Sequence, residues 1–134
     1  MRIQEDIRGE VAVLSVDGPL TTYPDVSTFK EYINQLVGNG TSKVVVDLSD
    51  VKWFGTPMLA ELVSSVMSLR SAGGDLRLCG MTDRMASVLA ATGLTSVVRI
   101  LANADVAVDS FGQMHPGEMS VTTNPRSPGE VIRI

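Results

Sequence analysis

In the stretch "VDLSDVKWFGTPMLAEL", Val46 to Leu62, the side chains able to do chemistry are two carboxylates, Asp47 and Asp50, and one hydroxyl, Thr56. Two acids without a histidine or a third carboxylate make a poor metal site, and Asp47 is better suited to tying down the loop backbone. Thr56 stands directly before Pro57 and an apolar run. That pattern reads as a helix N-cap followed by proline at the first helical position, where its missing N–H sacrifices no bond. Enzyme chemistry finds little else to use. The sole histidine, His115, lies in a proline-rich segment with no nucleophile placed beside it, so a triad is not expected. The sole cysteine, Cys79, falls in a strand-like run and reads as a small buried hydrophobe. Neither GxGxxG nor GxxxxGK[ST] occurs, so no phosphate-cradling loop is expected.

The elements that must position Thr56 belong to a chain of 134 residues, one domain by length and long enough to bury a sizeable core without staples. A single cysteine excludes an internal disulfide and points to a reduced, cytoplasmic compartment. The first ten residues carry charges of both signs and no apolar core of a leader, and no run approaches the roughly 18 apolar residues of a membrane span. Net charge is −4, and the 11 Lys and Arg are scattered rather than striped, which argues against nucleic acid as a partner.

Alternation in "RIQEDIRGEVAVLSVD" predicts two strands, Ile3 to Ile7 and Val11 to Val16, joined by a turn at Gly9. Val26, Phe29, Ile33, Leu36 and Val37 recur at helical spacing and predict a first helix ending at Gly38 or Gly40. "KVVVDL" is a central strand by its β-branched, two-sided apolar character. The next helix starts near Pro57 and carries Met58, Leu59, Leu62, Val63, Val66, Met67 and Leu69 on its stripe, with Glu61, Ser64 and Ser65 off it. "DLRLCG" predicts a fourth strand. Thr82 caps a helix with Met85, Val88 and Leu89 on one face. "SVVRIL" predicts a fifth strand, and "NADVAVDSF" a last helix buried through Val106, Ala107 and Phe111. Strand and helix then alternate as ββαβαβαβα, an α/β fold with a mostly parallel sheet and an antiparallel edge. Residues 1–111 form the domain. Residues 112–134 hold three of the six prolines and almost no periodicity, which reads as a flexible tail whose "EVIRI" end could dock as an added strand or across a dimer.

A strand "VVVDLSDV", an aromatic pair, a small residue, a hydroxyl, a helix closing on "SAGGDLRLCG" and a later "LAATGLTSVVRI" together resemble the STAS domain of bacterial anti-anti-sigma factors, over about Ile3 to Phe111. In that family the third strand runs into a D-L-S-x-V-x-F-I-D-S-S-G-L-like stretch whose first serine after the aspartate is phosphorylated. The resemblance places Thr56 on that acceptor. Gly55 stands where the family has aspartate, Pro57 replaces the second serine, Met58 the glycine, and Thr21 a commonly acidic loop residue, so negative charge beside the acceptor is reduced.

What the resemblance implies is a non-enzymatic regulatory module without cofactor, an anti-sigma factor antagonist switched by phosphorylation at Thr56. Its implied partners are an anti-sigma factor with a GHKL-type kinase fold and a serine/threonine phosphatase. Its implied partner surface comprises Thr21, Thr22, Trp53, Phe54, Gly55, Thr56, Pro57 and Met58, with one of the two aromatics expected in the core. Two other readings are a phosphorylation-independent scaffold in a stress-signalling complex and a small-ligand or nucleotide module using the Thr21-Thr22 loop and the Thr56 helix end.

Overall fold

In the computed structural model, residues 2–18, 20 and 23–112 are described. Thr21, Thr22, His115 and the "EVIRI" segment lie outside them. Strands β1 (Arg2–Arg8) and β2 (Val11–Asp17) form the antiparallel hairpin that the alternation predicts, turning at Gly9 with φ 63°. Helix α1 (Tyr23–Gly38), strand β3 (Lys43–Asp50), helix α2 (Thr56–Ser71), strand β4 (Asp75–Cys79), helix α3 (Asp83–Ala91), strand β5 (Arg99–Leu101) and helix α4 (Ala104–Phe111) follow in the expected order. The sheet runs β1-β2-β3-β4-β5, parallel from β2 onward. Crossover helices between neighbouring parallel strands impose that arrangement.

The period-2 alternation of each strand divides the core. Ala12, Leu14 and Val16 of β2, Val44, Val46 and Leu48 of β3, and Leu76 and Leu78 of β4 belong to one apolar cluster with Phe29 and Ile33 of α1, Met58, Leu62, Val66 and Leu69 of α2, and Met85 and Leu89 of α3. The intervening Val11, Val13, Val45 and Cys79 form a smaller cluster with Ala107 and Phe111 of α4. Burial of the Cys79 side chain is as expected from its strand.

Three elements depart from the sequence reading. In "SVVRIL" only Arg99–Leu101 pairs as a strand, because Leu94–Ser96 closes a 3-10 turn after Gly93 takes the left-handed conformation at φ 80°. On α2 the buried stripe is rotated toward Glu61 and Ser65, and Met67 is left exposed. The rotation is tolerated because Ser65 Oγ donates to Glu61 Oε2 at 2.8 Å, so the buried carboxylate keeps a partner. On α4, Val106 faces outward and Ser110 takes the inward place. Asn103 caps that helix by accepting from the Val106 amide at 3.0 Å.

Candidate functional site

The site is built where β2 and β3 end. Register slips between Ser15↔Asp47 and Asp17↔Asp50, so β3 carries one extra residue there. Asp47 fixes the slip: its Oδ1 accepts from the Ser49 amide at 3.0 Å and from Ser49 Oγ. The expectation that Asp47 ties down the loop therefore holds. Gly80, after β4, packs so closely that a Cβ there would strike Ser49 Oγ and Asp47 Oδ1, and its φ of 73° suits only glycine at low cost. The same carboxylate, together with burial as the larger cause, pushes the Cys79 thiol up to about 12. That thiol is inert at neutral pH.

Past the slip, Val51 closes a turn by donating to the Leu48 carbonyl at 3.0 Å. The chain then runs beside the loop after β2: Leu20 pairs with Phe54 in an isolated parallel bridge, and the Gly55 amide donates to the Leu20 carbonyl at 3.0 Å. This bridge brings the residue preceding Thr21 against the residue preceding Gly55.

Gly55, extended at φ −97° and ψ 178°, is the N-cap of α2. Thr56 is consequently the first helical residue and Pro57 the second, one position earlier than the pattern predicts. Proline is accepted there because the second amide of a helix also lacks an intrahelical acceptor. The expected Thr56 cap bond is absent. Thr56 is exposed, and among the described residues its hydroxyl has no hydrogen-bond partner. The backbone at this helix end is partly spoken for: both the Met58 and the Leu59 amides donate to the Gly55 carbonyl, at 3.0 and 3.3 Å.

Two residues of the expected partner surface are corrected. Phe54 is 2% exposed and Met58 0%, so both are core and cannot meet a partner. The Leu20 bridge turns Phe54 inward, and Met58 faces the sheet on the first turn of α2. Trp53 is half-buried, stacked on Phe54 with centroids 6.3 Å apart. Gly55 and Pro57 are likewise half-buried. Over the outer side of Trp53 lies a residue that the sequence reading missed, Arg84 of α3, its guanidinium carbon 4.4 Å from the ring centroid. No local pattern reports it, because 31 residues separate the pair. Exposed Lys52 is a second cation in the same loop.

The described residues hold no group of three or more His, Cys, Asp or Glu able to bind a metal. None of their helices is long and apolar enough to cross a membrane. A cavity of about 180 Å³ opens at the opposite end of the sheet, against Ile7, Gly9, Glu10 and Gly40, away from Thr56.

The STAS domain family model matches residues 2–107. No curated protein matches the chain. Among solved structures, TM1081 of Thermotoga maritima is 23% identical, the match covering 82% of this chain and 94% of that one with a TM-score of 0.76. An anti-sigma factor antagonist from Mycobacterium paratuberculosis is 20% identical over 83% of this chain and 93% of its own, with a TM-score of 0.73. The Bacillus cell fate determinant SpoIIAA in its phosphorylated form is 16% identical over 81% of this chain and 98% of its own, with a TM-score of 0.64. At such identities the likeness is one of fold.

Proposed function

The chain belongs to the STAS domain family, and from that premise we propose that it is an anti-sigma factor antagonist, a non-enzymatic module whose hold on a protein partner is switched by phosphorylation at Thr56. The observation that carries this reading is the exposed, unpartnered Thr56 hydroxyl at the first position of α2. A capping hydroxyl would have to surrender a bond to become phosphorylated; this one does not. SpoIIAA, which shares the fold, is itself known in a phosphorylated form.

In the proposed step the γ-phosphoryl group of ATP passes to Thr56 Oγ1, the hydroxyl loses its proton and ADP departs. The enzyme supplying it is an anti-sigma factor with a GHKL-type kinase fold, and a serine/threonine phosphatase reverses it. The modification adds about −1.5 to −2 charges. A partner surface shaped around a neutral hydroxyl, with half-buried Trp53 and Pro57 beside it, cannot desolvate a dianion without a new cation. Phosphorylated protein therefore releases its partner, and the unmodified form binds it and frees the sigma factor.

Affinity capture from the native cytosol tests this. Wild-type protein and Thr56→Ala should recover the same kinase-fold partner, and Thr56→Glu much less, a loss of ~2 kcal/mol or more for the desolvated carboxylate. Incubation with that partner and ATP should label Thr56 alone by mass spectrometry. Equal recovery by all three, with no label on Thr56, would overturn the switch and favour the phosphorylation-independent scaffold.

A further inference from the structure

A phosphate at the start of a helix is ordinarily met by several free amides of the first turn. Here that supply is thin. Pro57 has no N–H, and the Met58 and Leu59 amides already donate to the Gly55 carbonyl. Of the first four helical residues only Thr56 keeps an amide outside these bonds. The charge of a phosphothreonine must then be met mostly by side chains.

Two cations are at hand, Lys52 and Arg84, and they differ. Exposed Lys52 has no partner among the described residues, and its ammonium sits on a flexible stem. Arg84 is held, its guanidinium laid over the Trp53 ring three residues before the acceptor, with no carboxylate paired to it. A cation–π contact at an exposed site is weaker than a two-pronged pair between guanidinium and phosphate, so a dianion nearby would draw the group off the ring. Asp17 and Asp50, register partners at the ends of β2 and β3, and Asp83 in the first turn of α3 are exposed carboxylates at this end of the sheet and disfavour a phosphate whichever cation answers it.

Resting on the reading of Thr56 as acceptor, we infer that Arg84 is the internal counter-ion of phosphorylated Thr56. In the unmodified protein its guanidinium is stored on Trp53; on phosphorylation it leaves the ring and pairs with the phosphate. The transfer changes the face offered to a partner twice, by occupying the new charge and by uncovering the indole. Arg84 is a positioning residue for the modified state and has no part in the phosphoryl transfer.

The test dispenses with the kinase. Phosphothreonine is installed at position 56 during translation of the full chain, in wild-type, Arg84→Gln and Lys52→Gln backgrounds, and phosphorus NMR follows its second ionisation. The wild-type value should lie about 0.5 pH unit or more below that of Arg84→Gln, with Lys52→Gln moving it less than half as far. Trp53 is the only tryptophan, so fluorescence reports on this pair alone. Its emission should change on phosphorylation in the wild type and not in Arg84→Gln. Both variants are at exposed positions and should keep the wild-type thermal midpoint. Equal ionisation in wild type and Arg84→Gln, a larger shift from Lys52→Gln, or an unmoved Trp53 emission would each overturn the proposal. Because the phosphate is installed directly, those results leave natural phosphorylation of Thr56 to the labelling experiment, whose failure in turn would not alter them.

Discussion

The two faces of the sheet bury their residues by different means. Toward α1, α2 and α3 the apolar cluster is large, from Ala12 and Leu14 through Val46 and Leu78 to Phe29 and Met85, and its buried polar groups are one local pair, Glu61 and Ser65 of α2. Toward α4 the apolar cluster is small, and Asp75, Arg77 and Ser110 are buried beside it. Arg77 donates to Asp75 Oδ2 at 3.1 Å and to Ser110 Oγ at 2.6 Å, and its guanidinium lies 4.1 Å from the Phe111 ring centroid. Burial pulls the Arg77 guanidinium down from its ordinary value, while Asp75 opposes the shift. The first face is held by area and shape, which tolerate gradual change. The second is held by a short chain of obligate partners, with the exposed Arg8–Asp105 pair at 2.6 Å as an outer tie to the same helix.

Removing one large side chain from each face should cost a similar amount for opposite reasons. Phe29→Ala is expected to lose about 3–5 kcal/mol by vacating the apolar cluster. Asp75→Ala is expected to lose about 3–5 kcal/mol by stranding the Arg77 charge. The faces separate in a double substitution, Asp75→Leu with Arg77→Met, which removes the two buried charges together. It leaves the exposed Arg70, which also pairs with Asp75 at 2.9 Å, to solvent and the Val97 carbonyl. It should restore most of the loss, because a buried pair can be replaced by apolar groups of similar volume. Urea unfolding measures all three. A double variant as weak as Asp75→Ala would show that the second face also depends on shape, and the contrast would fail.

A second difference is visible at alkaline pH. The Cys79 thiol, on the α4 face, is raised to about 12 from an ordinary 9.0 by burial first and the Asp47 carboxylate second. The folded protein keeps a proton that the unfolded chain gives up above pH 9, so this contribution to stability is complete below pH 9 and declines as pH rises toward 12. The decline can reach at most about 1.4 kcal/mol per pH unit. On the other face, Tyr32 of α1 donates its hydroxyl to Glu5 of β1 and is also raised to about 12, burial first and Glu5 second, adding a decline that begins near pH 10. Cys79→Ala should therefore flatten the curve between pH 9 and 10 and make it shallower above pH 10, where the Tyr32 decline remains. An unchanged slope from pH 9 would mean that the thiol is not held neutral by its face.

How much of each region was legible follows from the range of its interactions. The apolar face could be read because strand alternation and helical spacing are local: "KVVVDL" and the Val26, Phe29, Ile33, Leu36 series are written in consecutive residues. On the α4 face the apolar members Cys79, Ala107 and Phe111 could be read from their strand and helix, but the burial of Arg77 could not, because its partner Ser110 lies 33 residues away. The rotation of α2 toward Glu61 escaped notice because a carboxylate satisfied one turn later by Ser65 behaves as a core residue that no hydrophobicity pattern marks. At the candidate site, the position of Thr56 at a helix start was legible from Pro57. Its environment was not, since Leu20–Phe54 and Arg84–Trp53 are made by segments distant in the chain.

The smallest expected effect sharpens the contrast between positions that hold the fold and the position that carries the switch. Among the described residues three helix starts carry a polar residue able to cap, and two of them do so. Thr82 Oγ1 accepts from the Met85 amide at 3.2 Å, and Asn103 Oδ1 from the Val106 amide at 3.0 Å. Substituting either by alanine should cost about 1 kcal/mol. At α2 the cap is Gly55, and the Thr56 hydroxyl stands in solvent one residue further on. Thr56→Ala removes no bond and no buried surface, and alanine is the better helix former, so stability should change by less than about 0.5 kcal/mol in either direction. Parallel denaturation of the three variants would read the difference directly. A loss at Thr56 as large as at Thr82 would mean that the hydroxyl holds the helix end after all, and a group already engaged in holding the fold is a poor one to surrender to a kinase.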